Sequence, residues 1–229
     1  MVLRSSQGHA AVALVPRKPK PHLASADLPL ASPSCIVVLM GTTPIRKRCQ
    51  RRNIPGHAHY LTFSCFQRQP FLMGPQARQW LLESIGRALE HHDVHLWAWV
   101  FMPEHVHLVI HPQAPRYSIA AILQSIKQPV SQRSVAYVRR VAPDFLGRMY
   151  DAHPNGRSAY RFWQRGGGYD RNLYSAEEIH EKIGYIHRNP VRRGLVQRAE
   201  DWEFSSAREY LKLRAPPWLT LDRSRVPPL

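Results

Sequence analysis

The sequence predicts an α+β domain built on an antiparallel sheet of four to five strands, with helices packed on its faces. The residues from His57 to Gln67 alternate in character, as in a strand whose two faces differ. The strand from Val94 to Phe101 is joined to the next strand, which begins at His105, by a very short connection. Such a connection implies an antiparallel hairpin. Apolar residues at helical spacing lie between and after these strands.

The first strand is followed at Gly74-Pro75 by the first helix. Its apolar stripe consists of Leu81, Leu82, Ile85, Ala88 and Leu89. The strand from Val94 to Phe101 is bulky and aromatic, as expected of a central strand. The strand after it places His105 and His107 on one face and leaves apolar residues on the other, where helices can pack.

A second helix is expected to begin after Ser118, a suitable N-cap residue, and to be interrupted at Pro129. Its apolar stripe consists of Ile119, Ile122, Leu123 and Ile126. Residues 142–160 have the character of a loop. Residues 161–164 are predicted to form a short strand, and Gly166 to Gly168 a flexible turn.

A capping box formed by Ser175 and Glu178 begins the third helix, which is predicted to run to about Asn189 because Pro190 stops it. Its buried stripe consists of Ile179, Ile183 and Ile186. Tyr185 lies ~120° from the centre of that stripe, so its phenol is free to point into a cleft. A last helix is expected between Trp202 and Leu213.

Charge and cysteine usage restrict the possible partners. The 229 residues include 32 Lys and Arg against 16 Asp and Glu, a net charge of +16. This favours nucleic acid first and an anionic membrane surface second, although coding bias alone also produces basic proteins. The three cysteines form no CxxC and are odd in number, which argues against a disulfide framework. No apolar run approaches the ~20 residues of a membrane span, so we expect a cytoplasmic protein.

Three regions are expected along the chain. Residues 1–54 form a disordered basic arm, for which Met40 offers an alternative start codon; residues 55–200 form the main domain, and residues 201–229 a C-terminal helix and tail. Five basic residues at the end of the arm are predicted to contact DNA phosphates: Arg46, Lys47, Arg48, Arg51 and Arg52.

The His105 and His107 pair is the first candidate site. Same-face neighbours on a strand lie roughly 7 Å apart, close enough for both imidazoles to reach one metal ion. Two ligands are incomplete, and an oxygen from Asn189 or a carboxylate would favour Mg²⁺ or Mn²⁺ over a structural zinc. Beside a phosphate polarised by the metal, the Tyr185 phenol could form a covalent phosphotyrosine. From spacing alone, structural roles for the histidines and the tyrosine remain open.

Several ordered motifs carry a family resemblance. They are Pro-Glu-His-Val-His-Leu-Val from Pro103, Phe-Trp-Gln from Phe162, the segment Tyr185 to Val196, and Asp201 to Ala207. Together they resemble the IS200-like Y1 transposases, which have an HUH motif, and among them the REP-associated tyrosine transposases. The resemblance implies a ferredoxin-like fold, binding of single-stranded and hairpin DNA, a metal held by His105 and His107, and Tyr185 as the nucleophile.

The resemblance also implies a third ligand one helical turn beyond the tyrosine. Asn189 occupies that position, where the insertion-sequence enzymes tend to have Gln, and His187 remains an alternative. Glu104 is a further candidate to complete the site. Arg192 and Arg193, in the turn expected after the third helix, are predicted to contact DNA.

The main hypothesis is therefore a metal-dependent single-stranded DNA endonuclease and strand transferase, monomeric or homodimeric and not bound to membranes. It would act with Mg²⁺ or Mn²⁺ through a phosphotyrosine intermediate on hairpins such as repetitive extragenic palindromes. The alternative is a domesticated, non-catalytic protein that binds hairpin DNA or RNA. A third hypothesis is a metallohydrolase that acts on small substrates independently of the tyrosine.

Overall fold

The computed structural model describes residues 51–152, 156–216 and 218–229. Its main sheet has four strands, namely β1 (Ala58–Ser64), β2 (Val94–Phe101), β3 (His105–Pro112) and β6 (Tyr169–Leu173). A separate hairpin consists of β4 (Tyr150–Ala152) and β5 (Ser158–Tyr160). The helices are α1 (Pro75–His91), α2 (Ile119–Val141), α3 (Ala176–Arg192) and the short α4 (Ala207–Tyr210).

The main sheet is antiparallel throughout, in the order β2-β3-β1-β6. With α1 between β1 and β2, and α2 between β3 and β6, this is the strand order of a ferredoxin-like fold. The predicted fold class is confirmed. In the ladder between β1 and β3, Thr62 lies opposite His107 and Ser64 lies opposite His105. The two histidines therefore have β1 side chains as immediate neighbours.

Both faces of the sheet are covered. One face, which includes Phe63, Val106 and Leu108, packs in a core with apolar residues of α1 and α2. The opposite face packs on α3 through Ile179, Ile183 and Ile186. The stripe predicted for α3 is confirmed as buried, and the histidine face of β3 lies on the α3 side.

Two prolines were predicted to interrupt or end their helices, and neither does. Helix α2 continues through Pro129, because Ile126 before it and Val130 after it are both fully buried in the same core. Helix α3 continues through Pro190 to Arg192. Packing thus outweighs the local cost of a missing N–H and a crowded carbonyl. The extension of α3 adds two residues to the helix beyond Pro190.

Three other element predictions were wrong, and one strand was missed. Residues 142–160 contain a 3₁₀ segment (Pro143–Met149) and the β4–β5 hairpin. Residues 161–164 make a single bridge, between Trp163 and Cys65. The β6 strand follows the glycine turn without having been predicted. The expected last helix is reduced to α4, because Phe204 and Ser205 pair instead with the edge of β2.

The segment after α4 also packs on the domain. Leu219 is buried in the core beneath α1 and α2, and the backbone N–H of Asp222 donates to the carbonyl of Leu96 on β2. The described residues, 51–152, 156–216 and 218–229, form one compact unit. None of the described helices is both long enough and apolar enough to cross a lipid bilayer.

Candidate active site

The two histidines of β3 point their outer nitrogens at each other. Nε2 of His105 lies 3.0 Å from Nε2 of His107, and each residue is only 5% exposed. Burial lowers the pKa of His107 to about 3, with further contributions from the charges of His105 and Arg68. Burial also lowers the pKa of His105, and the nearby charge of Glu104 offsets this only in part. Both imidazoles are therefore neutral near pH 7, the form that binds metals.

The inner nitrogens have partners that select the tautomer. Nδ1 of His105 can donate to Oε1 of Glu104, 3.1 Å away. Nδ1 of His107 can donate to the hydroxyl oxygens of Tyr60 and Thr62, at 2.8 and 2.7 Å. Burial raises the pKa of Tyr60 to about 12, so its phenol stays protonated. With the protons on Nδ1, both Nε2 lone pairs face the same point, as in metal sites whose ligands are oriented by a second layer of hydrogen bonds.

A divalent ion fits this donor set. Two nitrogens bound in adjacent positions at about 2.1 Å from one ion lie about 3 Å apart, as the two Nε2 atoms do. The side-chain amide of Asn189 approaches the same point, with Nδ2 3.1 Å from Nε2 of His107. Rotation of this amide by 180° would present its oxygen, because the two orientations differ only in the assignment of N and O.

The other candidate ligands lie elsewhere. Nε2 of His187 bonds to Oγ of Ser206 at 2.9 Å and does not approach Nε2 of His105 or His107. Glu104 contacts the inner nitrogen of His105 and accepts a hydrogen bond from Arg193 at 2.8 Å. It orients His105 from behind. Among the described residues, no group of three or more His, Cys, Asp and Glu could hold a metal, so Asn189 is the candidate for the third position.

Tyr185 lies beside the histidines. Its ring centroid is 5.8 Å from that of His107 and 6.2 Å from that of Tyr60. The guanidinium of Arg192 lies over the ring, 5.1 Å from its centroid. The phenol is half-buried, and in the described parts of the chain no hydrogen-bond partner occupies its hydroxyl. Because α3 continues past Pro190, Tyr185, Asn189 and Arg192 follow one another at helical spacing along the same side.

These residues enclose a cleft of about 310 Å³, called here the tyrosine cleft. It is lined by Thr62, Ser64, Arg68, His105, His107, Tyr185, Asn189, Arg192 and Arg193. The structure thus brings the predicted histidines, tyrosine and asparagine together with two of the predicted basic residues. A positively charged rim over neutral imidazoles is suited to a phosphate group.

The other predicted basic residues are placed differently. Arg46, Lys47 and Arg48 lie outside the described residues. Arg52 is exposed. Arg51 does not line the tyrosine cleft; its guanidinium donates to the carbonyl of Gly167 at 2.6 Å and lies 3.6 Å from Asp170.

Four residues of the site were not identified from the sequence, namely Tyr60, Thr62, Ser64 and Arg68. The first three share one face of β1, an alternation that the sequence displays. The sequence does not show the pairing register of β1 with β3, which places this face beside the histidines. Arg68 lies within a turn in which it and Gln67 both have positive φ, and its position carries no sequence signal.

Comparisons with known proteins concern the family and the fold. Residues 56–165 match the family of IS200-like transposases. A solved structure described as a REP-associated tyrosine transposase bound to a REP hairpin is 18% identical, covers 76% of this chain and 90% of its own, and has a TM-score of 0.56, a likeness in fold. A putative transposase from Deinococcus radiodurans is 16% identical over 61% of this chain and 95% of its own, with a TM-score of 0.37. No curated protein matches the chain.

Proposed function

We propose that this protein, whose residues 56–165 match the family of IS200-like transposases, cuts and rejoins single-stranded DNA through a covalent bond between Tyr185 and a DNA phosphate. The observation that carries the proposal is the meeting of Tyr185, His105 and His107 in one cleft, although they come from a helix and a strand about 80 residues apart in the chain.

The residues of the cleft can divide the reaction among themselves. The phenol oxygen of Tyr185 attacks the scissile phosphorus, and the bond from phosphorus to the leaving oxygen of the strand breaks. The phenol proton passes to solvent as the new bond forms, and the guanidinium of Arg192 lies over the Tyr185 ring. Arg68 and Arg193 can neutralise the phosphate oxygens. A hydroxyl at the end of another strand can then attack the same phosphorus. The bond from phosphorus to the Tyr185 oxygen breaks, the phenol is restored, and the two strands are joined.

A divalent ion would be held by His105, His107 and Asn189, with Glu104, Tyr60 and Thr62 orienting the imidazoles. When bound, Mg²⁺ or Mn²⁺ would act as a Lewis acid on a phosphate oxygen. The phenol hydroxyl, free of hydrogen bonds within the described residues, is accessible from the cleft for the incoming phosphate.

The proposed substrate is a DNA hairpin with single-stranded flanks. The net charge of +16 supports a polyanionic partner. The structural neighbour described as bound to a REP hairpin supports a hairpin as the partner here. We propose repetitive extragenic palindromes as the first sequences to test.

A covalent-adduct assay tests the proposal. The protein is incubated with a labelled hairpin that has single-stranded flanks, with Mn²⁺, Mg²⁺ or EDTA, and separated under denaturing conditions. A labelled protein band is expected with a metal only, and not in a Tyr185→Phe variant. Tyr174→Phe is the matched control, because Tyr174 is 71% exposed and does not line the cleft.

The same assay separates the competing functions. A protein that binds the hairpin tightly yet gives no adduct with either metal would be the non-catalytic binder. Turnover that survives Tyr185→Phe would point to metallohydrolase chemistry and would remove Tyr185 from its role.

A further inference from the structure

A second cavity lies on the opposite face of the sheet from the tyrosine cleft. Its volume is about 460 Å³, and it is formed by α2 and by the loop that leads from β5 to β6. Four basic side chains line it, Arg51, Lys127, Arg161 and Arg165, and we call it the basic cavity. None of the described residues that line it is acidic.

Lys127 is the central cation of the basic cavity. Its ammonium donates to the carbonyl of Gly166 at 3.2 Å and lies 5.8 Å from the centroid of the Phe63 ring. Within the described ranges, no carboxylate lies within ion-pairing distance of Lys127. Burial and the nearby charge of Arg51 lower the pKa of Lys127 to about 8. A half-buried cation of this kind is costly unless an anion accompanies it.

The carboxylates nearest to the basic cavity are paired with the neighbouring arginines and do not accompany Lys127. Arg161 and Arg165 both pair with the single carboxylate of Asp151. Arg51 lies 3.6 Å from Asp170, which also bonds to Nδ1 of His59 at 2.8 Å. Four cationic side chains are thus set against two carboxylates, an excess of two positive charges around one concave surface. An excess of this size suits a bound phosphate.

The basic cavity is connected with the tyrosine cleft by residues 164–168. The backbone N–H of Gln164 donates to the carbonyl of Ser64 at 2.9 Å, and Ser64 lines the cleft. Gly168 lies so close to the carbonyl of Thr62 that a Cβ would come within 2.1 Å of it. Gly166 and Gly167, between these two points, line the basic cavity. A DNA strand that leaves the cleft past this end of β1 would run towards Lys127.

We propose that the basic cavity binds a backbone phosphate of the same DNA strand whose scissile phosphate enters the tyrosine cleft, with Lys127 and Arg51 as its ligands. The inference rests on the proposed function for the identity of the strand. The contact is independent of base sequence, and it sets how far a flank extends from the scissile position.

The test measures binding in EDTA, where no cleavage occurs, to the hairpin used for the adduct assay. The variants are Lys127→Met, Lys127→Arg and the matched control Lys212→Met, which removes an exposed charge far along the chain. Loss of one phosphate contact is expected to reduce the slope of log affinity against log salt by about 0.7 to 0.9 in Lys127→Met. Lys127→Arg and Lys212→Met are expected to keep the wild-type slope.

A second measurement locates the phosphate. Single phosphates of the flanks are replaced, one at a time, by neutral methylphosphonates. Wild-type protein is expected to lose affinity at one position outside the scissile site, and Lys127→Met to be insensitive at that same position. Equal slopes and equal methylphosphonate profiles for wild type and Lys127→Met would overturn the proposal. They would leave Lys127 as a residue that only anchors the glycine loop.

Two further arms separate the possible outcomes. If inorganic phosphate or a mononucleotide raises the melting temperature of wild type more than that of Lys127→Met, while the DNA slopes coincide, the cavity takes a free anion and the assignment to DNA fails. At saturating DNA, the matched control Lys212→Met is expected to form the Tyr185 adduct at the wild-type rate. If wild type forms no adduct but the slope and methylphosphonate results hold, the phosphate contact stands and strand cleavage fails.

Discussion

The hydroxyl of Thr62 lies 2.7 Å from Nδ1 of His107, its partner across the β1–β3 ladder. This contact ties the tautomer of a proposed metal ligand to the register of the sheet. If His107 donates through Nδ1, its Nε2 lone pair is left for an ion shared with His105. Thr62 is therefore a positioning residue, and its effect should be seen in metal dependence.

We expect Thr62→Val to raise the Mn²⁺ concentration needed for half-maximal adduct formation by about 10- to 100-fold, as for other residues that orient metal ligands. Thr62→Ser should restore most of the wild-type value, because it keeps the hydroxyl. Adduct formation titrated with Mn²⁺ measures both. An unchanged titration for Thr62→Val would mean that Tyr60 alone orients His107.

The proposed role of Asn189 as third metal ligand can be tested by substitution. Asn189→Ala should raise the half-maximal Mn²⁺ concentration by at least about 10-fold, because only the two imidazoles remain. Asn189→Asp should lower it, since a carboxylate binds a hard divalent ion better than an amide does. Isothermal titration with Mn²⁺ gives the affinity independently of activity. If Asn189→Asp binds Mn²⁺ no better than Asn189→Ala, the third ligand is not at this position.

Simple periodicities explain why the catalytic candidates could be predicted. A period of two puts His105 and His107 on one face of β3, and a period of 3.6 puts Tyr185 outside the buried stripe of α3. Their meeting depends on which face of the sheet α3 covers. The family resemblance supplied that expectation, and neither periodicity contains it. The same limit applies to Thr62, whose role follows from a register that no local pattern encodes.

The elements that were mispredicted are those in which tertiary contacts outweigh local signals. The sequence of β6, Tyr-Asp-Arg-Asn-Leu, has little apolar alternation, because it is an edge strand. It is held by pairing with β1 and by the buried contact between Asp170 and His59. Pro190 is a sound stop signal in isolation. Ile186, fully buried one turn before it, keeps α3 on the sheet and carries the helix past the proline.

Gly168 should be intolerant of any side chain. Its φ of +74° lies in the left-handed region, and a Cβ would come 2.1 Å from the carbonyl oxygen of Thr62. We expect Gly168→Ala to reduce the free energy of unfolding by about 2 kcal/mol or more. Gly86→Ala is the control, because Gly86 lies within α1 with open space around it. This change should be stabilising by roughly 0.5–1 kcal/mol. Urea denaturation measures both, and equal stability of the two variants would contradict the contact.

The lowered pKa of Lys127 predicts that the free energy of unfolding depends on pH. Its pKa is lowered from 10.5 to about 8 in the folded protein. Between these values the unfolded chain binds more protons than the folded one, so the contribution of Lys127 to stability increases as the pH rises. Below about pH 8 the ammonium is charged in both states, and its full desolvation cost opposes folding.

The measurement is the free energy of unfolding of wild type and Lys127→Met at pH 7.5 and pH 9.5. The variant should be the more stable of the two at the lower pH, and the difference should shrink by roughly 1 kcal/mol at the higher pH. Comparing the two proteins cancels the contribution of other groups, such as Cys65, whose thiol titrates in this range only in the unfolded chain because burial raises its pKa to about 12 in the folded protein. Adding the hairpin should remove most of the pH dependence, because a phosphate in the basic cavity keeps Lys127 protonated. A difference that is independent of pH would show that Lys127 is well solvated, and would leave the basic cavity without its uncompensated charge.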